Sequence, residues 1–345
     1  MLSRKFLDGK GIWHTAVMPK VLLLDEPSVA ALLTMKDLIP LMERALADFS
    51  SGKVDQPVRT VVAPTGHHSM LAVMPGHLPG FGALGVKLVT VAPRNAALGL
   101  PTHLATILLH DPATGALLAL IDGRLVTEMR TAAVSAAASR ALARGRPRRL
   151  GILGSGVQAH SHLEAFHEAH DLEDVAVFSP TPGSREGFAA RESKRTGISV
   201  RAVATAEEAV RGADLIVVAT PSRAPVLRGA WLSPGMHVTA VGACIPSHRE
   251  IDGESVARSR VFVDSVAASR VEAGDILLAE QEGAIPEGHV AGEIGAVFAR
   301  ELEGRRGDAE ITLFKSLGLA VEDVATAGHL YHLARERGAG VEISI

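Results

Sequence analysis

An open α/β sheet, wound from alternating strands and helices and preceded by a second, strand-rich region, is the fold class predicted for this chain of 345 residues. Three observations predict it. The first is the run Arg149-Leu150-Gly151-Ile152-Leu153, which passes straight into the glycine turn Gly154-Ser155-Gly156-Val157-Gln158-Ala159 and then into helix-compatible sequence at 160–169. The second is the recurrence of short apolar runs at 215–220, 236–242 and 260–264, each suited to a strand buried on both faces of a parallel sheet. The third is the texture of residues 56–121, where β-branched runs lie between turn signals.

The elements follow in order. Residues 1–20 read as polar and unpatterned, with no contiguous apolar stretch of the kind a secretory signal needs. Met18-Pro19-Lys20 directly precedes the apolar Val21-Leu22-Leu23-Leu24, so Met18 reads as an alternative start, with residues 1–17 an extension. Asp25-Glu26-Pro27-Ser28 reads as a helix start. A second helix is expected over 36–49 from Leu38, Leu41, Ala45 and Phe49 at helical spacing. Strands are expected at 58–62, 70–74, 85–91, 105–110 and 117–122. The last two are joined by the turn Asp111-Pro112-Ala113-Thr114-Gly115. An Ala-rich helix is expected over 127–143, with Arg130 near its start, and another helix over 324–335.

Strand, glycine turn and helix together point to a dinucleotide. Gly154 permits the tight turn, Gly156 lets the backbone approach a pyrophosphate, and Ala159 lets the helix pack closely on the strand. The pyrophosphate then rests on free N–H groups at the helix N-terminus. The bland alternative is a glycine-rich turn with no ligand. The strand ends at Thr220-Pro221-Ser222 and Gly242-Ala243-Cys244 should face the same crevice, with Val241 joining Thr220, Pro221 and Gly242 in the expected cofactor site. The second strand, 174–179, ends in Ser179-Pro180-Thr181-Pro182-Gly183-Ser184-Arg185, with no carboxylate to receive a ribose 2′-hydroxyl. Hydroxyls and a guanidinium suit a 2′-phosphate, which favours NADPH over NADH. Otherwise Arg185 is simply a solvated loop residue.

Composition narrows the function classes. The net charge of -3 argues against a general nucleic-acid binder. The single cysteine, Cys244, cannot close an intramolecular disulfide, which fits a reducing compartment and a cytoplasmic protein. No apolar run reaches the length of a membrane span. The histidine pairs His67-His68, His160/His162 and His329/His332 do not match a zinc motif, and no metal is expected.

Arg59, Lys87 and Arg130 sit in unusually apolar or β-branched settings. A buried cation needs a partner, and a substrate carboxylate is one. Snorkelling, or pairing with a structural acid such as Glu128, is the other reading.

From about Gln56 to Asp323 the chain resembles the ornithine cyclodeaminase/μ-crystallin superfamily. The resemblance rests on Gln56-Pro57-Val58-Arg59-Thr60, Val73-Met74-Pro75, Val86-Lys87-Leu88-Val89 and the segment Gly115-Ala116-Leu117-Leu118-Ala119-Leu120-Ile121-Asp122-Gly123. It continues through Arg130-Thr131-Ala132-Ala133-Val134-Ser135-Ala136, the glycine turn, and Phe314-Lys315-Ser316-Leu317-Gly318-Leu319-Ala320-Val321-Glu322-Asp323. It implies a Rossmann NAD(P)-binding domain (134–317) plus a discontinuous α+β substrate and dimerisation domain (1–133 and 318–345), and hence a homodimer. It also implies that Arg59, Lys87 and Arg130 surround a substrate carboxylate, with Cys244 lining the pocket and Thr90, Thr131 and Ser316 added to the cofactor site. Two departures matter. Cyclodeaminases of the family have an Asp where this chain has Cys244, and a Glu where it has Ala72. This points to the μ-crystallin branch and to NADPH-dependent reduction of cyclic ketimines. A cyclodeaminase, an alanine dehydrogenase-like enzyme and a non-catalytic nucleotide-dependent binding protein are the alternatives. Lys87 either adjusts substrate protonation, its charge disfavoured by Arg59 and Arg130, or stays charged and only binds the carboxylate.

Overall fold

A computed structural model describes residues 3–7, 13–17 and 20–344. Met18 and Pro19, at the alternative start, lie outside the described residues. The leading segment is not unpatterned, as its polarity suggested. It contains strands β1 (Ser3–Leu7) and β2 (Trp13–Val17), paired antiparallel with Ser3 opposite Val17. Trp13, Thr15 and Val17 are residue types that favour strand.

There follow β3 (Val21–Leu24), α1 (Glu26–Leu32), α2 (Met35–Ser50), β4 (Thr60–Val62), β5 (Met70–Leu78), β6 (Ala83–Val91), β7 (His103–His110) and β8 (Leu117–Asp122). Next come α3 (Gly123–Leu142), β9 (Arg149–Leu153), α4 (Val157–Ala169), β10 (Asp174–Phe178), α5 (Pro182–Thr196), β11 (Ser199–Ala202), α6 (Ala206–Val210), β12 (Leu215–Val218) and β13 (His237–Ala240). The chain closes with α7 (Gly253–Ala257), β14 (Ser259–Val263), α8 (Val266–Glu272), α9 (Gly274–Gln281), β15 (Val290–Glu293), α10 (Ile294–Phe298), β16 (Ile311–Lys315), α11 (Ala320–Arg337) and β17 (Val341–Ile343).

Contacts divide the chain into two compact units. The first comprises Met1–Thr34, Val54–Thr127 and Asp323–Ile345. Its seven-stranded sheet runs β17-β3-β8-β7-β6-β5-β4. Only β3 and β8 pair in parallel; the other neighbours are antiparallel. The turn between β7 and β8 forms because Asp111 Oδ1 accepts the N–H groups of Ala113 (2.8 Å) and Thr114 (3.0 Å), and Gly115 takes φ +73°. Ala83, Gly85, Lys87 and Val89 of β6 share one buried face by simple alternation. The part of α11 in this unit covers it. A Cβ on Gly85 would lie 3.3 Å from a methyl of Val324, and one on Gly328 would lie 3.3 Å from Ala83 Cβ.

The second unit comprises Met35–Lys53 and Glu128–Glu322. Its eight-stranded sheet runs β11-β10-β9-β12-β13-β16-β14-β15, parallel throughout. Every residue of β12, β13 and β16 is buried, and β12 and β13 fall within two of the short apolar runs seen in the sequence. The strand order reverses at β9, so the carboxyl ends of β9 and β12 flank a topological switch point. Helix α2 joins this unit through α10: a Cβ on Gly295 would lie 2.0 Å from the Leu46 carbonyl, and Ser50 Oγ donates to Glu293 (2.8 Å). Among the described residues no helix is long and apolar enough to cross a membrane.

Helix α3 starts at Gly123, earlier than the expected Thr127, because Asp122 Oδ1 caps it by accepting the Leu125 N–H at 2.9 Å. Arg130 therefore sits two turns inside the helix rather than near its start.

Candidate active site

In the first unit, strand alternation delivers Lys87 to the interior. It is 1% exposed, with Met74 and Ile107 as its cross-strand neighbours in the sheet. Its ammonium lies 2.6 Å from Asp323 Oδ2, at the start of α11, and 3.4 Å from Thr127 Oγ1. Asp323 is fully buried. The two form a close, buried ion pair. Arg59 is half-buried and immediately precedes edge strand β4. Ala72 lies on the buried face of β5, opposite Val89, and so shares a sheet face with Lys87. Thr90 Oγ1 donates to the Leu104 carbonyl at 3.4 Å.

In the second unit, Arg130 is 3% exposed and pairs with the buried Glu322. Its guanidinium rests against Gly318: a Cβ there would lie 2.6 Å from Nη1. Gly318 also has φ +83°, and its N–H, like that of Leu317, is accepted by Asp264 Oδ2, at 2.6 Å and 2.5 Å respectively. Glycine is thus required twice over at that turn. Thr131 and Ser316 are buried, and Ser316 N–H donates to the Ala240 carbonyl at 3.0 Å.

The glycine turn has the geometry expected of it. Gly154 takes φ +120°, and a Cβ on it would lie 2.3 Å from the Ala219 carbonyl oxygen. Gly156 is the N-cap of α4, with no side-chain cap and no atom within 4 Å of an added Cβ. The first turn of this 13-residue helix follows directly on that open position. Ala159 is buried, Val157 is exposed, and Gln158 Oε1 is buried without a hydrogen-bond partner. Ser155 Oγ donates to Ser179 Oγ at 2.9 Å, which ties the turn to the end of β10. Arg185 lies over the Phe178 ring (5.8 Å) and donates to the Ser179 carbonyl at 2.9 Å, so its guanidinium is partly engaged by backbone. Thr181 is exposed at the N-cap of α5 and makes no capping bond.

At the ends of β12 and β13, the Thr220 N–H (2.5 Å) and the Gly242 N–H are both accepted by the carboxylate of buried Glu250. Pro221 is exposed and Val241 buried. Cys244 is half-buried, with Sγ 3.4 Å from the Val241 carbonyl and 3.9 Å from those of Ser316 and Leu317. It holds the strand end as a weak donor.

The histidines behave as packed or surface groups. His160 faces Glu192 at 2.9 Å. His162 is fully buried between the Gln158 carbonyl (2.7 Å) and Ser135 Oγ (2.9 Å), and burial lowers its pKa to about 4. Among the described residues no group of three or more His, Cys, Asp or Glu is arranged to hold a metal ion.

Four acids that complete these arrangements were not singled out from the sequence: Glu250, Asp264, Glu322 and Asp323. The adjacent Glu322 and Asp323 carried a usable signal, because two carboxylates between the apolar pairs Ala320-Val321 and Val324-Ala325 need cations.

A doubly wound parallel sheet with a dinucleotide-type glycine turn at its switch point, joined to a mixed sheet bearing a buried lysine, defines a two-unit α/β protein of the nucleotide-binding class. The chain belongs to the ornithine cyclodeaminase/mu-crystallin family, whose model matches residues 20–338. It is 40% identical over 297 residues to ketimine reductase mu-crystallin of Mus musculus, covering 85% of this chain and 91% of that protein. It is 36% identical over 313 residues to a Delta(1)-pyrroline-2-carboxylate reductase of Bacillus cereus, covering 90% and 96%. Among solved structures, that of Thermococcus litoralis Delta(1)-pyrroline-2-carboxylate reductase in complex with NADH and L-proline superposes with a TM-score of 0.91 at 40% identity, covering 94% of this chain and 100% of that one.

Proposed function

We propose that this chain is a nicotinamide-dependent imine reductase that converts a small cyclic ketimine bearing a carboxylate, of the Δ1-pyrroline-2-carboxylate or Δ1-piperideine-2-carboxylate type, to the cyclic imino acid, with NADPH as the preferred cofactor. The observation that carries the reading within the family is the pair Ala72 and Cys244. Neither side chain is a carboxylate, so the two positions from which cyclodeaminases of the family draw acid/base chemistry are silent here. The reductases among its relatives support the same reading.

When bound, a reduced nicotinamide supplies hydride. The turn Gly154-Ser155-Gly156-Val157-Gln158 would hold its pyrophosphate, and Ser179, Thr181 and Arg185 its 2′-phosphate. Thr220, Pro221, Val241 and Gly242 would flank it at the strand ends, with Thr90, Arg130, Thr131 and Ser316 completing its site. Arg59, Lys87 and Arg130 would act on the substrate carboxylate, and Cys244 would line the pocket. The imine enters protonated, so the chain needs neither a strong base nor a bound water. With Asp323 beside it, Lys87 is read as a fixed charge rather than a proton carrier. The chain's contribution is then placement and exclusion of water, worth on the order of 7–11 kcal/mol in favourable cases. Residues 134–317 serve as the NAD(P) domain, and 1–133 with 318–345 as the substrate and dimerisation domain.

NADPH oxidation with the two cyclic ketimines tests this, with ornithine plus NAD as the counter-assay. Turnover of a ketimine is expected, and Arg59→Ala should lower it by about tenfold or more, the worth of one charge-assisted contact; Arg130→Ala also strands the buried Glu322, so its activity is read against its measured stability. Comparable ammonia release from ornithine would overturn the reading. NADH bound as tightly as NADPH, with Ser179→Asp leaving NADPH affinity unchanged, would overturn the cofactor preference.

A cytoplasmic homodimer is part of the same proposal. Edge strand β4 leaves Val61 and Val62 about half exposed, at 49% and 52%, a row that invites covering. Light scattering should give twice the chain mass of 36.1 kDa; a monomer at micromolar concentration would refute it.

A further inference from the structure

Glu250 lies outside every motif that pointed to function, yet it is fully buried beneath two strand ends. Its Oε1 accepts the Thr220 N–H at 2.5 Å, and its Oε2 accepts the Gly242 N–H. The two strand ends are in contact at this point. A Cβ on Gly242 would lie 2.0 Å from the Thr220 carbonyl and 2.7 Å from Glu250 Oε1, so the clamp itself demands glycine there. Glu250 is held in turn. Its N–H donates to Asp275 Oδ1 at 2.7 Å, and its carbonyl accepts the Val226 N–H at 2.7 Å. The other oxygen of Asp275 lies 3.0 Å from the buried ammonium of Lys315, the last residue of β16.

We propose that Glu250 is a positioning residue for the nicotinamide cofactor, its ionised carboxylate fixing the ends of β12 and β13 as one rigid rim of the cofactor crevice. The inference rests on the cofactor site of the proposed function. A carboxylate is acceptor-only and satisfies both N–H groups. A carboxylic acid keeps one carbonyl acceptor, while its hydroxyl oxygen accepts more weakly than a carboxylate oxygen, so the hydrogen bond to one strand end weakens.

The surroundings make this ionisation sensitive near neutrality. Burial pushes the Glu250 pKa up to about 7, with Lys315 opposing the shift and Asp275 adding to it. The charged groups facing it are Lys315 from β16 and Asp275 from α9, with Cys244 beside Lys315 on the loop after β13. On its own segment are His248 and Arg249, the latter paired with Glu282 at 2.7 Å. The sign follows directly: the form that binds cofactor well is ionised, so affinity should fall as pH falls through about 7.

The test is a fluorescence titration with NADH, which lacks a titrating 2′-phosphate, across pH 6 to 8.5. In the wild type, Kd should be about tenfold tighter at the alkaline end, the scale of one charge-assisted hydrogen bond. Glu250→Gln should bind NADH weakly at every pH, with a flat profile. Its KM for NADH should rise more than its kcat falls. A flat wild-type profile overturns the inference even if the variant fails to fold, and so does a variant that keeps the wild-type slope. Failure of the wild type to bind either NADH or NADPH overturns the cofactor reading itself, and the inference with it.

Discussion

Asp323→Ala should destabilise the protein by about 3–5 kcal/mol, the usual effect of stranding one member of a buried ion pair. Lys87 has no alternative conformation in water without leaving the face of β6 that α11 covers, between Met74 and Ile107. With Asp323 gone, its charge remains in an apolar layer and the ammonium loses the carboxylate 2.6 Å away. Lys87→Met alone should cost about as much, because Asp323 is equally buried. The double variant Lys87→Met/Asp323→Leu removes both charges at similar volume, and its stability should return to within about 1–2 kcal/mol of wild type. Its imine reductase activity should not return, because no ammonium is left to meet the substrate carboxylate. Urea unfolding and kcat/KM on the same three variants separate the two roles. A double variant that folds and turns over substrate normally would show that the pair is structural only.

Gly154→Ala and Gly156→Ala should differ sharply despite lying two residues apart. At Gly154 an added methyl meets a backbone oxygen at 2.3 Å, in a residue with φ +120°. Neither the carbonyl of Ala219 nor the turn can give that much, so the loop must rebuild. Loss of cofactor affinity by about a hundredfold or more, with a lowered Tm, is expected from the combined strain and clash. At Gly156 nothing lies within 4 Å of an added Cβ, and the φ of -86° suits alanine. The fold should be unchanged to within about 0.5 kcal/mol. Cofactor binding should still weaken by roughly tenfold, because the methyl occupies the path by which a pyrophosphate reaches the first turn of α4. Thermal melts with nucleotide titrations read both quantities. A Gly156→Ala variant that binds cofactor like wild type would move the pyrophosphate off this turn.

Much of this protein is written in local patterns. The glycine turn, the buried runs of β12 and β13, the Asp111 hairpin and the Asp25 start of α1 are each decided within a few residues, by backbone conformation and side-chain periodicity, so the sequence by itself determined them. It also marked Lys87 as a cation in an apolar strand, and Ala72 and Cys244 as positions without carboxylates. Only the tertiary structure decided what answers those charges. Glu128, a neighbour of Arg130 in the chain, was the acid suggested by sequence; the structure adds two acids the sequence did not pair with these cations, Glu322 with Arg130 and Asp323 with Lys87. The Glu250 clamp and the grouping of α2 with the parallel sheet were hidden for the same reason. A carboxylate on a helix or loop looks alike in sequence whether it faces water or a buried cation. Which it faces is set by packing between separate segments of the chain, and no local period records that.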